Sequence, residues 1–210
     1  MEGATSQTRV ADMHGIICKA IETFLIAQHG MCRWRVIVRS AEIGIETFET
    51  VHNYDDEVAK RLLTSASRHL DITRVTLLED MGTWICTHPP LEPVRRLFRF
   101  SGATFEEMLF ALDEVHERGR MALPDLDLPV LSLIELGEGH YRVASTWGVP
   151  GTSAVLIGVL RAMADDYGTL AYLEFERSAE VNGSWSEIIS VRLLDERFSA
   201  PREFRLGGVA

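Results

Sequence analysis

Apolar positions recur at helical spacing along roughly the first 119 residues, then fall into short strand-like runs separated by turn residues. Residues 1–12 form a polar extension. "MHGIICKAIETFLIAQHG" carries Ile16, Ile17, Ala20, Ile21, Phe24 and Leu25 on one face and ends in Gly30, a helix stop. "MCRWRVIVRSAEI" reads as a second helix, with Val36, Ile37 and Val38 leaving a strand open. "YDDEVAKRLLTSASRHL" starts on Asp55 and Asp56 and repeats Val58, Leu62, Leu63, Ala66 and Leu70, a surface helix with one buried stripe.

"ITRVTLLEDMGTWI" continues helically to Gly82, and the three prolines of "THPPLEP" forbid a regular element. Thr104 and Glu107 have capping-box spacing and open a helix over 104–119. After "ALPDLDLP" come a hairpin, "VLSLIEL" and "HYRVAST" about "GEG", then a helix, "SAVLIGVLRAMADDYG". A second hairpin, "LAYLEFERS" and "WSEIISVRLL", turns at Asn182-Gly183. Helices followed by mainly antiparallel strands predict an α+β fold: an N-terminal helical layer packed on a C-terminal four-stranded antiparallel sheet with an inserted helix. No repeat or linker divides the chain, so residues 13–200 form one domain, followed by a tail over 201–210.

Charge and cysteines narrow the function. A formal charge of −10 argues against a nucleic-acid groove or an anionic membrane surface as partner. Cys18, Cys32 and Cys86 are an odd set with no C-x-x-C pair and read as reduced thiols of a cytoplasmic protein. Cys86 and His88 are too few ligands for a tetrahedral metal site. No apolar run approaches the roughly 20 residues that span a bilayer.

No glycine-rich phosphate loop, nucleophile elbow or H-E-x-x-H pattern is present, so the common kinase, hydrolase and zinc-protease readings fail, and the chain is not expected to be an enzyme. One position stands out. In the helix over 104–119, Phe105, Leu109, Leu112 and His116 share the face that is buried. A buried imidazole needs a partner. A core histidine bonded to a carbonyl and an axial ligand of haem iron both satisfy that need, and position alone does not separate them.

The surrounding residues resemble the haem nitric oxide/oxygen binding (H-NOX) family, whose animal relatives form the haem domain of soluble guanylate cyclase. The resemblance runs from about Met13 to residue 178. "MHGIICKAIETFLIAQHG" is similar to the family's opening helix, Gly15 included; "YDDEVAKRLLTSASRHLDI" and "LLEDMGTWI" resemble its next helical pair. "LFRFSGATFEEMLFALDEVH" resembles the segment ending in Leu-Asp-x-(Leu/Val)-His. The resemblance makes His116 the proximal ligand of haem b, with Leu112 a turn before it, and Pro129 the proline that presses on the porphyrin. Ile17 and Val155 then fall on the distal side, where an oxygen-binding relative carries a hydrogen-bond donor. "LIGVLRAMADDYG" is similar to the late helix.

The match departs at the family's propionate clamp, Tyr-x-Ser-x-Arg. Counting back from Gly158 places Ser145, Trp147 and Val149 there; a longer hairpin brings Tyr141 and Arg142 near the propionates instead. Adjacent strand residues face opposite sides, so at most one of these two points into a pocket. Arg95, Arg96 and Arg99 are possible substitutes. The implied function is a haem-based nitric oxide sensor that signals to a separate partner, a histidine kinase or a cyclic-di-nucleotide enzyme, by release of His116. The alternative is a haem-free H-NOX-like regulatory module that binds an apolar ligand or a protein.

Overall fold

The computed structural model describes residues 12–122 and 128–202. The polar stretch 1–11 and the end of the tail from residue 203 lie outside the described residues. The chain forms two compact units, residues 1–74 and 75–210.

In the first unit a short strand, β1 (Asp12–His14), leads into α1 (Gly15–Ala41). His14 caps this helix: its Nδ1 accepts the Ile16 N–H at 3.2 Å. The two helices expected here are one element bent at Gly30, whose φ of 81° and ψ of 160° only a residue without Cβ adopts easily. β2 (Asn53–Asp55) pairs antiparallel with β1, a small sheet with no signal in the hydrophobic pattern. α2 (Asp56–Leu70) starts on the Asp55 carboxylate, which accepts the Glu57 N–H at 2.8 Å. Cys18, Ile21, Phe24, Leu25, Ile37, Leu62 and Ala66 fill this unit's core.

From Val75 on, α3 (Arg74–Thr87) belongs to the second unit, and it runs past Gly82. The proline-rich stretch is more regular than expected. A short 3-10 turn over Pro89–Leu91 is followed by α4 (Glu92–Arg99), because a proline in the first helical turn surrenders only an N–H that has no helical partner anyway. The helix expected over 104–119 is broken. α5 (Phe105–Phe110) ends at Ala111, a 3-10 turn covers Leu112–Glu114, and α6 (Val115–Ala122) follows. The capping-box pair does form a start: Thr104 Oγ1 accepts the Glu107 N–H at 3.1 Å, while the Glu107 carboxylate takes the N–H of Ala103 at 2.7 Å.

Four strands complete the unit: β3 (Val130–Gly137), β4 (His140–Trp147), β5 (Leu170–Val181) and β6 (Ser184–Asp195), with α7 (Thr152–Tyr167) between β4 and β5. The sheet is antiparallel in the order β3-β4-β6-β5. Asn182 and Gly183, at φ 54° and 79°, make the tight turn expected of that dipeptide. Tyr141, Val143, Ile189 and Val191 pack against α7 residues Ile157, Leu160 and Met163 and α5 residues Phe105, Met108 and Leu109. The fold class is therefore α+β, with a helical N-terminal part and a C-terminal four-stranded antiparallel sheet carrying an inserted helix. Among the described residues no helix is long and apolar enough to cross a membrane.

Candidate functional site

α5 is short and firmly held. Phe105, Met108 and Leu109 are at most 1% exposed, and Leu112, in the turn after it, is fully buried. Those positions carry the apolar stripe that the sequence places in line with His116. The backbone of His116 lies in α6, beyond the break, and its side chain lies outside the described residues. In α6, Arg118 reaches back with Nη1 to the Ser101 hydroxyl at 2.7 Å and pairs with Glu114, and Leu128 lies over the bare Cα of Gly119. Pro129, half-buried, follows Leu128 directly and leads into β3.

On the sheet, Tyr141 and Arg142 face opposite sides. Tyr141 is 1% exposed in the core, where its ring meets Phe110 edge-on and its hydroxyl donates to the Glu106 carboxylate. Burial, and then the neighbouring Glu106 carboxylate, raise its phenol above the ordinary 10.0. Arg142 projects from the other face, with Nε 2.8 and 3.0 Å from the two Glu176 carboxylate oxygens.

The positions counted back from Gly158 offer no charged side chain. Ser145 is 1% exposed, and its hydroxyl has no hydrogen-bond partner among the described residues. Directly opposite it on β6 stands Glu187, also buried. The Glu187 carboxylate accepts the N–H of Gly151 at 3.0 Å and of Ser153 at 2.8 Å, and so caps α7. Trp147 is half-buried and faces Trp185 across the strands, and Val149 lies in the loop before α7.

The α4 arginines are engaged as well. Arg95 grips Asp166 with Nε at 3.0 Å and Nη2 at 2.6 Å, and holds Glu92 through Nη1 at 3.1 Å. The hydrogen bond to Asp166 is the main cause that raises its pKa above the ordinary arginine value. Arg96 pairs with Glu92, and Arg99 lies 3.9 Å from the centre of the Tyr167 ring. Tyr167 in turn donates to the carbonyls of Arg99 and Gly102.

Two apolar candidates sit on helices of different units. Val155 is a half-buried α7 residue on the margin of the second unit's core, and Ile17 is half-buried in the first turn of α1. The buried carboxylates were not singled out in the sequence. For Glu187 a signal existed: Trp185, Ile189 and Val191 alternate on one strand face, and Glu187 occupies the inward position between them.

The comparisons with known proteins agree with one another. The family model described as Haem-NO-binding matches residues 14–172. Among solved structures the chain is similar to a Cs H-NOX mutant carrying 4-cyano-L-phenylalanine, with a TM-score of 0.72, 13% identity, and 90% of this chain and 100% of that chain covered. A mutant of the T. Tengcongensis H-NOX gives a TM-score of 0.69 at 14% identity, over 88% of this chain and 99% of that one. An oxygen-binding H-NOX domain related to soluble guanylate cyclases, in its oxygen complex, gives 0.65 at 14% identity, over 91% and 100%. No curated protein sequence matches.

Proposed function

Because the chain belongs to the Haem-NO-binding (H-NOX) family, a family of gas-sensing haem domains rather than enzymes, we propose that it is a haem-based nitric oxide sensor that signals to a separate partner by release of His116. The observation that carries this reading is the break at residues 111–114. It puts the only histidine of the segment on a short helix of its own, next to a buried anchor that does not have to move with it.

The chain's residues fit one part of a haem and not another. An imidazole at His116 is a suitable axial ligand, and Leu112, Pro129, Ile17 and Val155 are apolar enough to face a porphyrin. The propionates are not matched: Tyr141, Arg142 and Arg95 are all engaged with carboxylates of the chain itself. When bound, haem b would supply an iron able to bind nitric oxide. In this reading His116 would hold the iron and Pro129 would press on the ring, with Ile17 and Val155 as the apolar candidates for the gas side. Among the described residues, Arg118 and the Leu128 contact tie α6 to its surroundings, and both would have to yield for α6 to move once His116 is free.

The partner belongs to the same proposal, as a histidine kinase or a cyclic-di-nucleotide enzyme in the cytoplasm, with residues 13–200 acting as one sensor domain. The engaged carboxylates also favour a second reading, a haem-free regulatory module that takes an apolar ligand or a protein. Hydrogen exchange distinguishes the two. In haem-loaded ferrous protein, nitric oxide is expected to speed amide exchange in residues 112–122 while 105–110 stay protected. Unchanged exchange in 112–122 contradicts release of His116.

A further inference from the structure

Among the described residues of the second unit, four groups of donors of the kind that hold an anionic ligand already hold a carboxylate of the chain. The Tyr141 hydroxyl donates to Glu106. Arg142 Nε sits 2.8 Å from Glu176. Arg95 holds Asp166 at 2.6 and 3.0 Å. The free N–H groups at the start of α7, from Gly151 and Ser153, end on Glu187 at 3.0 and 2.8 Å.

Two of these carboxylates are not easily displaced. Asp166 is 1% exposed and Glu187 5% exposed, so a ligand carboxylate that took their donors would leave a buried anion unpaired. The chain's formal charge of −10 adds long-range repulsion against an incoming dianion. Beside Glu187, the buried Ser145 hydroxyl is a single neutral donor without a partner among the described residues. It offers no charge to a ligand carboxylate.

We propose, resting on the haem reading above, that this chain takes an iron porphyrin without recognising its carboxylates. The ring is held by axial ligation and apolar contact, and its acid side chains are left to water. The chain's own glutamates and aspartate occupy these four groups of donors.

The test compares the affinity of the apoprotein for ferric iron protoporphyrin IX and for its dimethyl ester, in the same mild detergent, by absorbance titration. A charge-assisted pair to a carboxylate contributes about tenfold or more to affinity, so a recognised propionate makes the ester bind at least about tenfold more weakly. The proposal predicts a ratio below about tenfold. A ratio at or above that overturns it while leaving the haem reading intact. If neither porphyrin binds, the haem reading itself fails and this inference falls with it.

Discussion

The Cα of Gly158 in α7 faces the carbonyl oxygen of Glu79 in α3 so closely that a Cβ there would lie 2.0 Å from it. Gly82 repeats the contact in the other direction, with the Val155 carbonyl 2.0 Å from its own ideal Cβ. The two glycines let α3 and α7 cross at backbone contact. Gly158→Ala must push the helices apart against backbone atoms that cannot rotate away, and is expected to cost about 1–3 kcal/mol. Urea unfolding of the variant checks this; a loss below about 0.5 kcal/mol, the level of an ordinary surface substitution, contradicts the close crossing.

Arg95 and Asp166 join α4 to the end of α7 through two hydrogen bonds, with side-chain exposures of 14% and 2%. Removing the arginine leaves a buried carboxylate with Arg99 at 4.0 Å as its nearest cation. Arg95→Ala is expected to destabilise by about 3 kcal/mol. The double variant with Asp166→Ala is expected to lose less than the sum of the two single changes, which denaturant melts of all four proteins measure.

Cys18 and Cys86 are buried, and burial pushes both thiols up to about 12. Cys32 is exposed on α1. A disulfide-exchange reagent at neutral pH is expected to titrate one thiol in native protein and three after denaturation. Because both folded values lie above the ordinary 9.0, the stability these thiols contribute is complete below pH 9.0 and declines as pH rises toward about 12. Rapid modification of all three thiols in the native state contradicts the packing of both helices.

Most of the fold was legible because its elements are amphipathic or turn-bounded. The Asn182-Gly183 hairpin, α7 and the stripe of α2 follow directly from spacing. What spacing does not carry is the break after Phe110. The periodicity of Phe105, Leu109 and Leu112 continues through a 3-10 turn as readily as through an α-turn, and only the packing of Leu112 against the sheet side shows the difference. The prolines at 89, 90 and 93 misled for the opposite reason, because a first-turn proline starts a helix as well as ending one. For the proposed site, His116 rests on the resemblance of its segment to the family, while the self-paired carboxylates Glu106, Asp166 and Glu187 depend on contacts between residues far apart in sequence.

The proposed assignment of Ile17 and Val155 to the gas side carries a prediction of gas selectivity. Ile17 and Val155 have no donor to offer bound dioxygen, and nitric oxide depends less on one. Ferrous, haem-loaded protein is expected to respond to nitric oxide and carbon monoxide and to show no lasting oxygen-bound absorbance in air. A persistent one, recorded promptly after exposure, contradicts the placement of these two residues on the gas side.

The most direct measurement of the central claim is the absorbance spectrum of ferrous protein reconstituted with haem, compared between the natural chain and His116→Ala. The account predicts a Soret band typical of single histidine ligation in the natural chain, its loss in the variant, and its return when imidazole is added to the variant. A natural chain with no Soret band after reconstitution, or a variant whose band is unchanged without imidazole, would contradict it.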